Sequence, residues 1–318
     1  MHPLASIPSP THSVWHLGPI PVRAYALCIV AGIFVGLWLT VRRWRERGGK
    51  DDDIWDVAGW AIVFGIIGGR LYHVISDPEL YFEGKPGTSP INAFKIWDGG
   101  LGIWGAIALG TLGAWIGCRR KGLRLICWAD AAVPGVIFAQ AIGRWGNWFN
   151  NELFGGHTSL PWKLQIHCMD AIAGHSVAST SLNTVYNGNY ACPDGSSIAG
   201  YFQPTFLYES LWDIALGFTL LYLDRRLRLG RGNVMAVYVM GYTLGRIWIE
   251  ALREDHANHI LGLRLNIWTC IIVFALGLAW FLRHGGWHAE REKSVYADGR
   301  TPDAEPIEEV AADGRSDD

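Results

Sequence analysis

Seven runs of mostly apolar residues divide the chain, at roughly 22–41, 56–76, 98–118, 128–149, 204–223, 233–252 and 264–283. Each is about the ~20 residues a helix needs to cross ~30 Å of hydrocarbon. The first, fifth and seventh are nearly uninterrupted. The second, third, fourth and sixth carry charges or several glycines, which turns those faces toward other helices rather than lipid. Backbone polar groups in lipid must be satisfied within the element, so the pattern predicts an all-α integral membrane bundle of seven transmembrane helices. Three polar stretches remain. Residues 1–21 are broken by Pro3, Pro8, Pro10, Pro19 and Pro21, which oppose regular structure. Residues 150–203 are rich in Asn, Ser and Gly and predict a small cap, with an alternating strand at 162–166. Residues 284–318 are acidic and poor in apolar groups, and are expected to be disordered.

Basic residues orient the bundle. Eighteen Lys and Arg lie after the first span, at 119–124, at 225–231 and from Arg283 onward; five lie in the alternate connections. The positive-inside rule therefore places the N-terminus outside and the tail in the cytoplasm, as an odd number of spans requires. The opening lacks a basic n-region, and its first apolar stretch is followed by arginines, which is not the pattern of a cleavable signal peptide. The expected organisation is thus an outer segment 1–21, a membrane domain 22–283 that includes the outer loop 150–203, and a cytoplasmic tail 284–318.

Composition supports this reading. Apolar residues make up 50% and charged residues 18%, against about 25% charged in soluble domains. The 39 glycines and 17 tryptophans suit membrane helices and their interfaces. A soluble enzyme, a disordered chain and a disulfide-dense secreted domain are disfavoured. The net charge of −2 gives no sign of a nucleic-acid partner. Cys168 and Cys192 are the two outer-loop cysteines, and whether they pair is open at this stage. His157, His167, Cys168 and His175 fit no zinc-ligand spacing, so no metal site is expected.

Four basic residues fall within the spans: Arg23, Arg70, Arg144 and Arg246. Arg23 lies at a boundary. A mid-bilayer charge costs at least ~2.5–3.5 kcal/mol, so the other three are functional candidates. Each lies about six residues before the outer end of its span, ~9 Å below that boundary. Acids belong to the same level: Asp98 and Glu209 begin inward-running spans, and Glu152 and Glu250 end outward-running ones. Arg246 and Glu250 are four apart and share a helix face. The planar guanidinium fork suits phosphate oxygens. A small anion transporter would also carry such arginines, but would need a polar path to the cytoplasm.

The end of the fourth span reads GRWGNWFNNELFG, from Gly143 to Gly155. Gly143 and Gly146 permit close approach; Arg144 and Asn147 share a face, with Glu152 just beyond. This stretch resembles the signature of the prolipoprotein diacylglyceryl transferase family, bacterial membrane enzymes that lipidate lipoprotein precursors. Further blocks agree in order: the Tyr25 region, GGRLYHV (68–74), WDGGLGIWGA (97–106), the Asp130 region, QPTFLYE (203–209) and GRIWIEALR (245–253). The likeness covers roughly 15–283, and the variants are similar to actinobacterial members.

The resemblance implies transfer of the diacylglyceryl group of phosphatidylglycerol to the lipobox cysteine of a prolipoprotein, as the first step of lipoprotein maturation. It implies no cofactor and no metal, a place in the bacterial cytoplasmic membrane, and an active site near the extracytoplasmic leaflet. Arg144, Arg246, Glu152, Tyr25 and Asn147 are the expected catalytic set. Arg144, Arg70, Gly99, Gly100, Gly155, Glu209 and Glu250 are expected to bind the headgroup. Many members carry a histidine, considered a base, where Trp104 stands here. His73 is the one span histidine available to replace it.

Overall fold

The computed structural model describes residues 6–18, 20–82, 89–96, 99–170, 174–176, 196–254 and 259–297. The chain forms two compact units, residues 1–46 with 129–292, and residues 47–128 with 293–318.

In the first unit, α1 (Ala24–Glu46) packs on α5 (Leu125–Asn150, within this unit from Ala129), and α6 (Thr205–Leu227), α7 (Asn233–Leu252) and α8 (Leu265–Arg283) follow. Small residues set the α1–α5 distance. A Cβ on Gly32 would come within 2.8 Å of the Ala139 carbonyl oxygen. On the other flank of α6, the Trp212 indole donates to the Gly241 carbonyl at 3.0 Å, which ties α6 to α7.

Outside the helices lies a three-stranded sheet in the order β1–β4–β5, from Ile7–Pro8, Leu164–His167 and Ile198–Phe202. The strand expected at 162–166 is thus β4, displaced by one to two residues. Phe154, Leu164, Ile166, Cys168, Phe202 and Phe206 form its buried core. Cys168 is disulfide-bonded; Cys192 lies outside the described residues.

The opening segment corrects the expectation drawn from its prolines. β2 (Val14–Leu17) and β3 (Ile20–Arg23) form an antiparallel hairpin, turning at Gly18 with φ +63°. Pro21 pairs with His16 in a two-stranded ribbon, where every strand is an edge and a missing donor is tolerated.

In the second unit, α2 (Asp51–Ser76) lies along α4 (Ile103–Lys121), with α3 (Glu79–Phe82) beyond α2. Their contact is backbone on backbone: a Cβ on Gly105 would sit 2.0 Å from the Gly68 carbonyl oxygen, and one on Gly68 2.2 Å from that of Gly105. Close approach of this kind brings van der Waals packing where no hydrophobic drive exists between helices. Gly105→Val is therefore expected to destabilise the protein by ~1–3 kcal/mol, as overpacking does. Gly59→Val, on the same helix pair with nothing within 4 Å of its Cβ, is expected to leave the thermal midpoint unchanged. Equal midpoints for the two variants would refute this packing account.

α4 begins at Ile103, not at 98, because Gly99 and Gly100 take left-handed φ values of +92° and +77°. Asp98 lies outside the described residues. The acidic tail also departs from its expected disorder over 284–297. In the first unit Gly230 donates to the Ala289 carbonyl at 3.2 Å, and Arg291 pairs with Asp224 at 2.8 Å. In the second, Arg124 donates to the Val295 carbonyl at 2.9 Å. Ala289 and Val295 are buried, so a few apolar side chains anchor this part of a polar segment. Residues 298–318 lie outside the described set.

Among the described residues, α1, α2, α5, α6 and α8 are long and apolar enough to cross a membrane. The chain is mostly helical and has the character of a multi-pass integral membrane protein. The third and sixth expected spans are the helices α4 and α7, which fall outside that set of five.

Candidate active site

In the first unit the polar residues of α5, α6 and α7 recur at helical spacing. Gln140 and Arg144 are four apart on α5, Glu209 and Asp213 on α6, and Tyr238, Tyr242, Arg246 and Glu250 on α7. Residues four apart share a face, so each helix presents a polar stripe to the others. Gly245 brings α7 close to α6, since a Cβ there would meet the Trp212 Nε1 at 2.2 Å.

The stripes converge on Glu209. Arg144 Nη2 lies 2.7 Å from its Oε1, and Arg246 Nη1 donates to Oε1 and Oε2 at 2.9 and 3.2 Å. Arg246 Nη2 pairs with Glu250 at 2.9 Å, as their spacing predicts. Glu250 also accepts from Arg264 Nε at 2.9 Å and Asn266 Nδ2 at 3.1 Å. The Glu209 and Glu250 side chains keep 6% and 0% of their surface, whereas Arg144 and Arg246 keep 21% and 15%. The carboxylates are thus enclosed, while the arginine side chains keep some exposed surface. Arg144 meets Glu209 through Nη2.

The glycine-rich end of α5 organises the rim. A Cβ on Gly146 would lie 2.5 Å from the Tyr25 ring, so glycine there lets the tyrosine pack on the helix. Tyr25 is within electrostatic reach of both Arg144 and Glu152. Asn147 and Asn150 donate to Glu152 Oε1 at 3.0 and 3.1 Å. Burial pushes the Glu152 carboxyl above the usual range, and these two amide bonds oppose the shift. Gly155 donates to the Gln203 carbonyl at 3.0 Å. A Cβ there would meet Gln203 and the Leu252 carbonyl within 2.9 Å, so it fixes how closely the segment after α5 approaches the start of α6 and the end of α7.

Arg70, His73, Gly99 and Gly100 belong to the second unit. All five N–H groups of Arg70 are taken by main-chain carbonyls: Ala93 at 2.8 Å, Gly99 at 2.5 Å, Gly100 at 2.9 Å, Asn92 at 2.5 Å and Lys95 at 3.2 Å. Arg70 therefore shapes this loop and has no donor left over. A Cβ on Gly100 would lie 2.7 Å from Arg70 Nη1 and 3.0 Å from the His73 ring. His73 Nδ1 faces the Tyr81 hydroxyl at 2.9 Å. Trp104 is half exposed on α4.

The sequence profile of prolipoprotein diacylglyceryl transferases matches residues 12–283. The chain belongs to the prolipoprotein diacylglyceryl transferase family. Among relatives named phosphatidylglycerol–prolipoprotein diacylglyceryl transferase, that of Paenarthrobacter aurescens is 55% identical over 277 residues, covering 87% of this chain and 82% of its own. That of Streptomyces avermitilis is 52% identical over 292 residues, 92% of this chain and 78% of the relative. That of Streptomyces griseus is 51% identical over 305 residues, 96% and 85% respectively. The family match includes every residue expected at the site, from Tyr25 to Glu250.

Reading the sequence passed over Arg264 and Asn266 as site residues, although both bind Glu250. It also passed over Gln140, Tyr238 and Tyr242. The four-residue spacing of Tyr238, Tyr242, Arg246 and Glu250 was the available signal. Arg264 had none, because it reaches Glu250 from the start of another helix.

Proposed function

We propose that this chain transfers the diacylglyceryl group of phosphatidylglycerol to the lipobox cysteine thiol of a prolipoprotein, forming a thioether and releasing glycerol-1-phosphate. Family membership and about 50% identity to relatives carrying that name support the reaction. The observation that carries the residue roles is the meeting of Arg144 and Arg246 on one enclosed carboxylate, with the two arginine side chains partly exposed.

In the reaction the cysteine sulfur attacks the glyceryl carbon. The carbon–oxygen bond to phosphate breaks, its electron pair leaves on glycerol-1-phosphate, and the thiol proton passes to the departing phosphate or to water. Charge accumulates on the phosphate, and preorganised cations aimed at developing charge are a large source of rate. Arg144 grips the phosphodiester with guanidinium N–H groups other than the Nη2 that meets Glu209, and Arg246 takes up charge beside it. Glu209 and Glu250 hold the two arginines in place. Tyr25 and Asn147 orient the headgroup, and Glu152, fixed by two amides, completes the rim. Gly155 seats the outer loop. Arg70, Gly99 and Gly100 act through the loop they shape. A thiol of pKa ~8.5 is already a few per cent thiolate at neutral pH, and nearby arginines lower that pKa, so the reaction needs no dedicated base. His73 is the alternative base.

The same reading makes α4 and α7 the third and sixth of seven spans. It sets the N-terminal segment and the 150–203 cap outside, the tail from 284 in the cytoplasm, and the site near the outer leaflet of the bacterial cytoplasmic membrane. The charge asymmetry of the connections supports this orientation. The test is incubation of the purified protein with labelled phosphatidylglycerol and a lipobox peptide. Lipidated peptide and free glycerol phosphate in equal amounts are expected. Bound lipid with neither product would refute the transfer.

A further inference from the structure

Asp213 is a buried acid near the arginine pair that the reaction above does not use. It lies on α6 four residues after Glu209, one turn further along the same face, ~6 Å on. It is 0% exposed, and neither carboxylate oxygen accepts a hydrogen bond from the described residues. The titratable groups within electrostatic reach of it come from three helices: Arg144 on α5, Glu209 on α6, and Tyr238, Tyr242 and Arg246 on α7. The Tyr238 hydroxyl is turned to Gln140 Oε1, at 3.0 Å.

The charges around Asp213 leave a remainder. Glu250 is matched by Arg264, which donates to it at 2.9 Å. Among these groups Arg144, Arg246 and Arg264 stand against Glu209 and Glu250, an excess of one positive charge. An ionised Asp213 cancels that excess, and so does a bound phosphodiester. Both at once would leave a net negative charge enclosed among helices, and like charges in one site drive the weaker acid to its neutral form. An isolated carboxylate without hydrogen-bond donors is the member that yields.

We infer that Asp213 and the lipid headgroup compete for this single positive charge, so that phosphatidylglycerol binding is coupled to uptake of one proton by Asp213. The inference rests on the proposed function and assigns Asp213 a positioning role, tuning the charge of the arginine pair without touching the lipid. By linkage, an acid protonated in the bound state makes binding weaken as pH rises through its free-state titration, by at most about tenfold per pH unit for one proton.

The test uses the full chain in phosphatidylcholine nanodiscs and a short-chain phosphatidylglycerol as titrant, with binding followed between pH 6 and 9. Wild-type affinity is expected to fall with pH. Asp213→Asn, which stays neutral, is expected to bind with little pH dependence, and Asp213→Glu to recover the slope. Calorimetry of the wild type in buffers of different ionisation enthalpy is expected to show close to one proton taken up where the slope is steepest, so the outcome does not depend on whether a variant folds. A wild-type affinity independent of pH, a slope unchanged in Asp213→Asn, or no proton uptake would overturn the inference and leave the transferase reading standing. No binding of phosphatidylglycerol at any pH would overturn both.

Discussion

Replacing Arg144 by lysine is expected to reduce transfer about 100-fold or more, the scale on which one preorganised donor at a developing charge contributes. The substitution keeps the positive charge and can keep an ion pair with Glu209. It removes the planar fork, and with it the guanidinium donors other than the Nη2 that meets Glu209. Lysine offers one point charge at the end of a flexible stem and cannot hold Glu209 and a phosphate oxygen in one plane. The loss should appear in kcat and kcat/KM together if the fork acts on the departing phosphate. The thermal midpoint should change little, because charge balance in the cluster is preserved. The check is the labelled-lipid assay on purified Arg144→Lys beside its melting curve. Wild-type turnover by this variant would remove Arg144 from the phosphate site.

How far the site could be read in advance follows from what fixes each residue. The helices were legible because lipid demands long apolar runs, and α7 begins and ends at the predicted residues, 233 and 252. Helix ends set by glycine conformation were less so, as the five-residue delay before α4 shows. Arg70 and Arg144 look alike in sequence: each is an arginine about six residues before the end of an apolar run. What separates them is that main-chain carbonyls at 92–100 take every donor of Arg70, while Arg144 meets the Glu209 carboxylate. That distinction is made by backbone folding, which no spacing rule reports. The docked segment at 284–297 was hidden for a similar reason. Its anchoring residues are few, and their partners, such as Gly230 and Arg124, lie far away in sequence.

Glu209→Gln is the second change expected to have a large effect, and it separates arrangement from charge. Glutamine preserves the volume, yet it offers one carbonyl oxygen where two carboxylate oxygens now receive Arg144 and Arg246. Its amide N–H groups face guanidinium donors and cannot serve them. Arg246 keeps its pairing with Glu250 at 2.9 Å. Arg144 loses the carboxylate that orients it among the described residues and swings among rotamers, so the alignment of two cations on one phosphate is lost. Holding groups in reactive geometry is where such an arrangement acts, and misplacement by ~1 Å can cost about 100-fold. The expected result is a kcat lower by roughly that factor, with no rise in the KM for phosphatidylglycerol. Removing the competing carboxylate leaves the positive charge that attracts the headgroup undiminished. Glu209→Asp, which keeps the charge but shortens the reach, should recover part of the turnover. If Glu209→Gln instead raises KM with kcat intact, then Glu209 supports ground-state binding alone, and the arginine pair does not depend on it for alignment.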